Sequence, residues 1–134
     1  MNLPHVISLD ISSIYIALCG ILLVFLAITV VRSRLKNQVG IGDGGVSQLN
    51  RLIRTHGNST EYIPIALLSL VAVESTGTAD WLVHALGSLL IVGRLLHAAG
   101  LSKSAGTSVP SVSGTICTMV MILTSSVILL INAF

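Results

Sequence analysis

The chain alternates long apolar runs with short polar joints, and the few polar residues inside the runs carry most of its information. The first run, 11–31, is apolar apart from Ser12, Ser13 and Thr29. About 20 such residues cross a bilayer as a helix. The run meets a basic collar, Arg32-Ser33-Arg34-Leu35-Lys36, whose long side chains can snorkel to headgroups. A first helix over about 11–35 follows, opened by Pro4 with Asp10 or Ser12 as its N-cap. Val39-Gly40-Ile41-Gly42-Asp43-Gly44-Gly45 is glycine-rich and breaks the pattern, so it reads as a turn. No strand precedes it and no Gly-Lys-Ser/Thr follows, so it is not a phosphate-binding loop.

The second helix is expected over 46–75, polar in its first half and apolar from Ile65 to Val73. Pro64 lies inside it, where it removes one backbone hydrogen bond and favours a bend. Glu74-Ser75-Thr76-Gly77-Thr78-Ala79-Asp80 turns the chain, with Gly77 closing one helix and Asp80 suited to the first turn of the next. A third helix is expected over about 79–99, with Trp81 at an interface and Gly87 and Gly93 permitting close packing. Residues 100–113, rich in Gly, Ser, Thr and Pro, read as a connecting loop. It leads into a fourth helix over about 109–132, whose span from 115 to 131 is apolar apart from Ser and Thr hydroxyls that can bond back to their own helix.

Composition agrees with the pattern. Of 134 residues, 9% are charged and 53% hydrophobic, against about 25% charged in a soluble domain. The reading is a single domain, 1–134, of all-α class: an integral membrane four-helix bundle. Met1 to Asp10 holds no basic residue and no small-residue cleavage site follows, so no cleavable signal peptide is expected. The net charge of +2 is too small to point to nucleic acid. Cys19 and Cys117 lie far apart in apolar runs with no ligand spacing, so they read as small buried hydrophobes and no metal site is expected. All seven Lys and Arg residues flank the first and third connections. The positive-inside rule therefore puts that end in the cytoplasm and both termini outside.

The candidate chemistry lies in Arg51-Leu52-Ile53-Arg54-Thr55-His56-Gly57-Asn58-Ser59-Thr60-Glu61-Tyr62. At about 100° per residue, Arg51, Arg54, Asn58 and Glu61 fall within an arc of roughly 80°, and His56 points nearly the opposite way. One helix face thus offers cation, amide and carboxylate in successive turns, which suits a ligand carrying carboxylates and an amine. The alternative is an Arg54–Glu61 ion pair that only fixes helix packing. Arg94 and His97, three apart, share a face of the third helix at the same end. Arg32 is the deepest cation of the collar. These groups converge at one end of the bundle, and ionisable residues in membrane helices mark sites more often than not.

Three segments carry a resemblance to the MAPEG family, the membrane-associated proteins of eicosanoid and glutathione metabolism. They are Val31-Arg32-Ser33-Arg34, Arg54-Thr55-His56-Gly57-Asn58-Ser59-Thr60-Glu61-Tyr62-Ile63-Pro64 and Gly93-Arg94-Leu95-Leu96-His97-Ala98. The glycine turn followed by His-Gly-Asn and Glu-Tyr-Ile-Pro resembles the small bacterial inner-membrane branch. The resemblance implies a homotrimer that binds glutathione, as cosubstrate, in clefts between subunits. It implies that Glu61 takes the amine, Arg54 a carboxylate and Asn58 the peptide portion, with Tyr62 beside them. It further implies that Arg32 and His56 serve the pocket from the neighbour, and that Arg94 and His97 give the third-helix contribution. The implied activity is that of a glutathione transferase or peroxidase on a lipophilic small molecule reached from the membrane lipids. Two departures stand out. Leu101 occupies a position where family enzymes often carry tyrosine. At the start of the fourth helix, where catalytic members place an arginine that stabilises the thiolate, this chain reads Val109-Pro110-Ser111-Val112-Ser113-Gly114. Ser111 or Ser113 could donate only a weaker hydrogen bond. Two further functions stay open: a non-catalytic binder of glutathione or a lipid headgroup, and a small four-helix exporter. The exporter is disfavoured because the first helix has no carboxylate between Ile11 and Val31.

Overall fold

The computed structural model describes residues 9–103 and 108–134. The polar lead with Pro4 lies outside the described residues. Four helices run in chain order: α1 (Asp10–Asn37), α2 (Ser47–Ser75), α3 (Asp80–Lys103) and α4 (Val109–Ala133). No strand occurs among the described residues. By length and composition α1, α3 and α4 can each cross a membrane. The first half of α2 is too polar to qualify alone. At 29 residues it is nevertheless about 43 Å long, and it packs against all three other helices.

The bundle is not square. Both α2 and α3 touch every other helix, whereas α1 and α4 share no contact. The central pair thus has α1 on one flank and α4 on the other. Contacts at the ends fix the directions. The carboxylate of Glu74, at the end of α2, reaches the start of α1. Tyr15 of α1 meets His84 and Ser88 of α3, and Arg94 of α3 meets Asn58 of α2 and Thr118 of α4. The basic collar and both connections with Lys or Arg lie at one end, and Asp10, Glu74 and Asp80 at the other.

A helix leaves its first amides without partners inside the helix. At the start of α1 the expected cap from Asp10 or Ser12 is not made. The N-cap is Leu9, with no side-chain cap bond. Instead the N–H groups of Ile11 and Ser12 each donate to one oxygen of Glu74, both at 2.8 Å. This half-buried cap reaches across from another helix, so it also ties α1 to α2. The glycine turn is held by Arg34, which donates to the carbonyls of Gly40 and Gly42 at 3.2 and 2.8 Å. Asp43 accepts from the N–H of Gly45 at 2.9 Å and from the Asn50 side chain. α2 continues through Pro64 and stops where Gly77 adopts φ 77°.

The expected loop over 100–113 is shorter than its composition suggested. α3 continues to Lys103 and α4 starts at Val109, with Ser108 capping by accepting the Ser111 N–H at 3.4 Å. Gly100 lies within α3 where α4 comes down on it: a Cβ there would lie 2.5 Å from the Ser111 nitrogen. Gly93 and Gly114 form a second such contact, where the two helix backbones meet. The core between the helices is built from Cys19, Ile63, Leu70, Val83, Leu90 and Met121, all buried. Both cysteines are free thiols, Cys19 buried and Cys117 half-buried.

Candidate functional site

The polar face of α2 points out of the chain. Its inner face is committed to packing through Thr55, Ser59 and Ile63, which are fully buried, and the hydroxyls of Thr55 and Ser59 donate back along the helix to Arg51 and Thr55 carbonyls. Arg54 and Glu61 are consequently exposed, and Asn58 and Tyr62 half-buried between them and the core. Neither Arg54 nor Glu61 has a hydrogen-bond or ion-pair partner among the described residues. The ion pair that would have made this stretch purely structural is not formed.

Arg94 lies inside. It is wholly buried, with Nη1 donating to Oδ1 of Asn58 at 2.8 Å and Nε to Oγ1 of Thr118 at 3.0 Å. Its guanidinium carbon sits 5.6 Å from the centre of the Tyr62 ring, within cation–π range. One side chain thereby joins α2, α3 and α4. Its Nη2 has no partner. Thr118 holds its own place by donating to the Gly114 carbonyl at 3.0 Å. Sequence reasoning passed over Thr118 as a hydroxyl turned back on its own helix; its spacing of four from the close-packed Gly114 was the available signal.

His97 is also buried. Its Nδ1 faces the carbonyl of Ser111 at 3.1 Å, the hydroxyl of Ser111 at 3.2 Å and that of Thr115 at 3.0 Å. Nε2 has no partner. Ser113 donates its hydroxyl to the Pro110 carbonyl at 3.1 Å. The sequence candidates therefore fall into two groups. Arg54, Asn58, Glu61 and Tyr62 form one outward face. Arg94 and His97 are sealed beneath it or beside α4, and Ser111 belongs to the His97 cluster. Arg32 is exposed on α1 and His56 half-buried on α2, and neither has a bonding partner among the described residues; within one chain they are not bonded to that face.

Apolar space adjoins the same half of the bundle. A groove of about 320 Å³ between α1 and α3 is lined by Leu18, Ile21, Leu22, Phe25, Ile91 and Leu95. Leu22, Phe25 and Leu95 continue into a second cavity of about 410 Å³ that reaches Leu52 and Thr55 of α2. Together they could take an alkyl chain from the bilayer. Among the described residues no group of His, Cys, Asp or Glu could hold a metal ion.

The model of the MAPEG family matches residues 12–128. An inner membrane protein of Escherichia coli strain K12, YecN, is 44% identical over 87 residues, which make up 65% of this chain and 66% of the relative. The YecN protein of Escherichia coli O6:H1 matches to the same extent. The match thus spans just under two thirds of the length of these relatives.

Proposed function

The chain belongs to the MAPEG family, and from that membership we propose that it binds glutathione on the outward polar face of α2 and presents its thiol to a lipophilic electrophile. The observation that carries the reading is the unpaired state of Arg54 and Glu61. Glu61 stands near the middle of α2, about 21 Å from its start at 1.5 Å per residue. An unpaired carboxylate at that depth is costly against lipid. A cation, an amide and a carboxylate in line match the carboxylate, peptide group and amine of a zwitterionic tripeptide. Glu61 would take the amine, Arg54 a carboxylate and Asn58 a peptide carbonyl.

The same cost argues for a second copy of the chain over this face, in keeping with the homotrimer the family implies. Arg32 and His56 would then complete the pocket from the neighbour. The basic end would face the cytoplasm, and the relatives' name supports the inner membrane of a bacterium. The apolar grooves beside α1 support a lipophilic substrate drawn from the bilayer. The protein's contribution would be to hold thiol and electrophile together.

Whether it is a transferase or peroxidase rather than a non-catalytic binder turns on the thiolate. A thiol needs a nearby cation or strong donor to ionise at neutral pH. No Lys or Arg occurs between Val109 and Phe134, and the hydroxyls of Ser111 and Ser113 are engaged with His97 and Pro110. That observation favours binding without thiol activation as the second reading. Calorimetry with glutathione on the purified protein in detergent, with ultraviolet detection of thiolate, separates the readings. Binding with thiolate supports the enzyme, binding without it supports the non-catalytic binder, and no binding overturns both.

A further inference from the structure

A guanidinium has five N–H donors and no acceptor. The atom of Asn58 that faces Arg94 must therefore be the carbonyl oxygen, as the 2.8 Å contact from Nη1 requires. The amide nitrogen is turned the other way. It has no partner among the described residues and is not among the sealed partnerless polar atoms, and Asn58 itself lies on the helix face shared with Arg54 and Glu61. Arg94 itself is wholly buried and cannot touch a ligand on that face. It is anchored from behind by Thr118 at 3.0 Å and flanked by the Tyr62 ring.

We propose that Arg94 is a positioning residue rather than a ligand contact: it locks the Asn58 amide so that Asn58 acts only as a hydrogen-bond donor to the ligand. An asparagine not held in this way can turn over and offer its oxygen instead. With Arg94 in place, the face reads donor at Arg54, donor at Asn58 and acceptor at Glu61. It selects a ligand with acceptors at the first two positions and an amine at the third, and rejects one with a donor against Asn58. Locking the amide before the ligand arrives removes an ordering cost from binding. This inference rests on the glutathione reading above and specifies how that site discriminates.

The test is a double-mutant cycle on the intact protein in detergent, with glutathione binding read by calorimetry. Asn58→Ala should weaken binding roughly tenfold, the upper range for one neutral hydrogen bond. Arg94→Met should weaken it comparably, and the double variant should bind no worse than Asn58→Ala alone. Arg94→Lys, which keeps a donor toward the amide oxygen, should bind more tightly than Arg94→Met. Should Arg94→Met not fold, Thr118→Val replaces it: a nearly isosteric change that removes the acceptor behind Arg94 together with the hydroxyl's own bond to the Gly114 carbonyl. It should weaken binding about two- to threefold in the wild-type background and leave Asn58→Ala unaffected. Losses that multiply in the double variants, or no loss on changing Arg94 or Thr118, would overturn the positioning role while leaving glutathione binding intact. No binding by the unaltered protein would overturn both.

Discussion

The contact between α3 and α4 offers the sharpest test of how the fold supports the site. At Gly114 the backbones are so close that an added Cβ would overlap the carbonyl oxygen of Gly93 and lie 2.5 Å from the nitrogen of His97. The second distance is about 0.9 Å inside the 3.4 Å at which ordinary contact begins. Every group in the way but one is backbone, so no rotamer change relieves the clash. Overpacking a core costs typically 1–3 kcal/mol, and a backbone clash belongs at the upper end, about 2–4 kcal/mol. For a chain of this size that is a fall in melting temperature of roughly 8–15 °C. Gly114→Ala should show this in thermal unfolding in detergent followed by circular dichroism. It should also weaken glutathione binding by at least the roughly two- to threefold expected of Thr118→Val, since parting the helices draws Thr118 from Arg94. Gly20→Ala and Gly57→Ala are the controls. Both glycines are helical, with nothing within 4 Å of an added Cβ, so both changes should be neutral or gain up to about 1 kcal/mol from helix propensity. Gly57 even lies within the polar stretch. A Gly114→Ala protein that melts within about 2 °C of wild type would refute the reasoning.

Other expectations follow from single contacts. Arg54→Ala should leave the melting temperature unchanged and remove glutathione binding, because the side chain is exposed and unpaired; loss of folding instead would restore the structural role. Glu74→Gln keeps one acceptor oxygen but loses the charge at the start of α1. It should cost about 1 kcal/mol, and hydrogen exchange of the Ile11 and Ser12 amides should accelerate; unchanged protection would show that the cap contributes nothing. The Asn50 side chain and the Gly45 N–H hold the Asp43 carboxyl below its ordinary value. Its contribution is therefore present above the unfolded value and lost as pH falls through the lower folded one. The stability gap between wild type and Asp43→Asn should accordingly be seen at neutral pH and close as acid protonates the carboxyl below the ordinary aspartate range; a gap that widens in acid contradicts this account.

Much of the architecture was legible in the sequence because hydrocarbon imposes a simple code: runs of about 20 apolar residues become helices. The outward face of α2 was legible for a related reason, since Arg54, Asn58 and Glu61 repeat at helical spacing. What could not be read were contacts between residues far apart in the chain. Glu74 is a turn residue by local pattern, yet it caps the start of α1 by accepting from the Ile11 N–H, 63 positions earlier. Gly100 looks like part of a loop, yet it lies inside α3, and only the approach of α4 explains why a glycine stands there. Arg94 is the fullest example. Spacing placed it beside His97 at the right end of the bundle, but an arginine near a helix end gives no local sign of whether it points at a ligand or at the core.

Arg54 and Arg94 are the same residue type about one helical turn apart at one end of the bundle, and the neighbourhood of each decides what it can do. The inner side of α2 is filled by Thr55, Ser59 and Ile63, which leaves Arg54 no room except outward. α3 is flanked on both sides, by α2 and by α4, so Arg94 has nowhere to send its charge but between them. A buried cation is costly unless its donors are met. Asn58 and Thr118 meet two of them, and the Tyr62 ring offers its face to the charge. The arrangement has a consequence for the face of α2. The group that satisfies Arg94 is one of the groups offered to a ligand, so the internal electrostatics of the bundle and the donor pattern of its surface cannot vary independently. A change at Arg94 that stabilised the core by removing the buried charge would at the same time release Asn58. For that reason a more stable bundle with an apolar residue at position 94 would be a poorer binder.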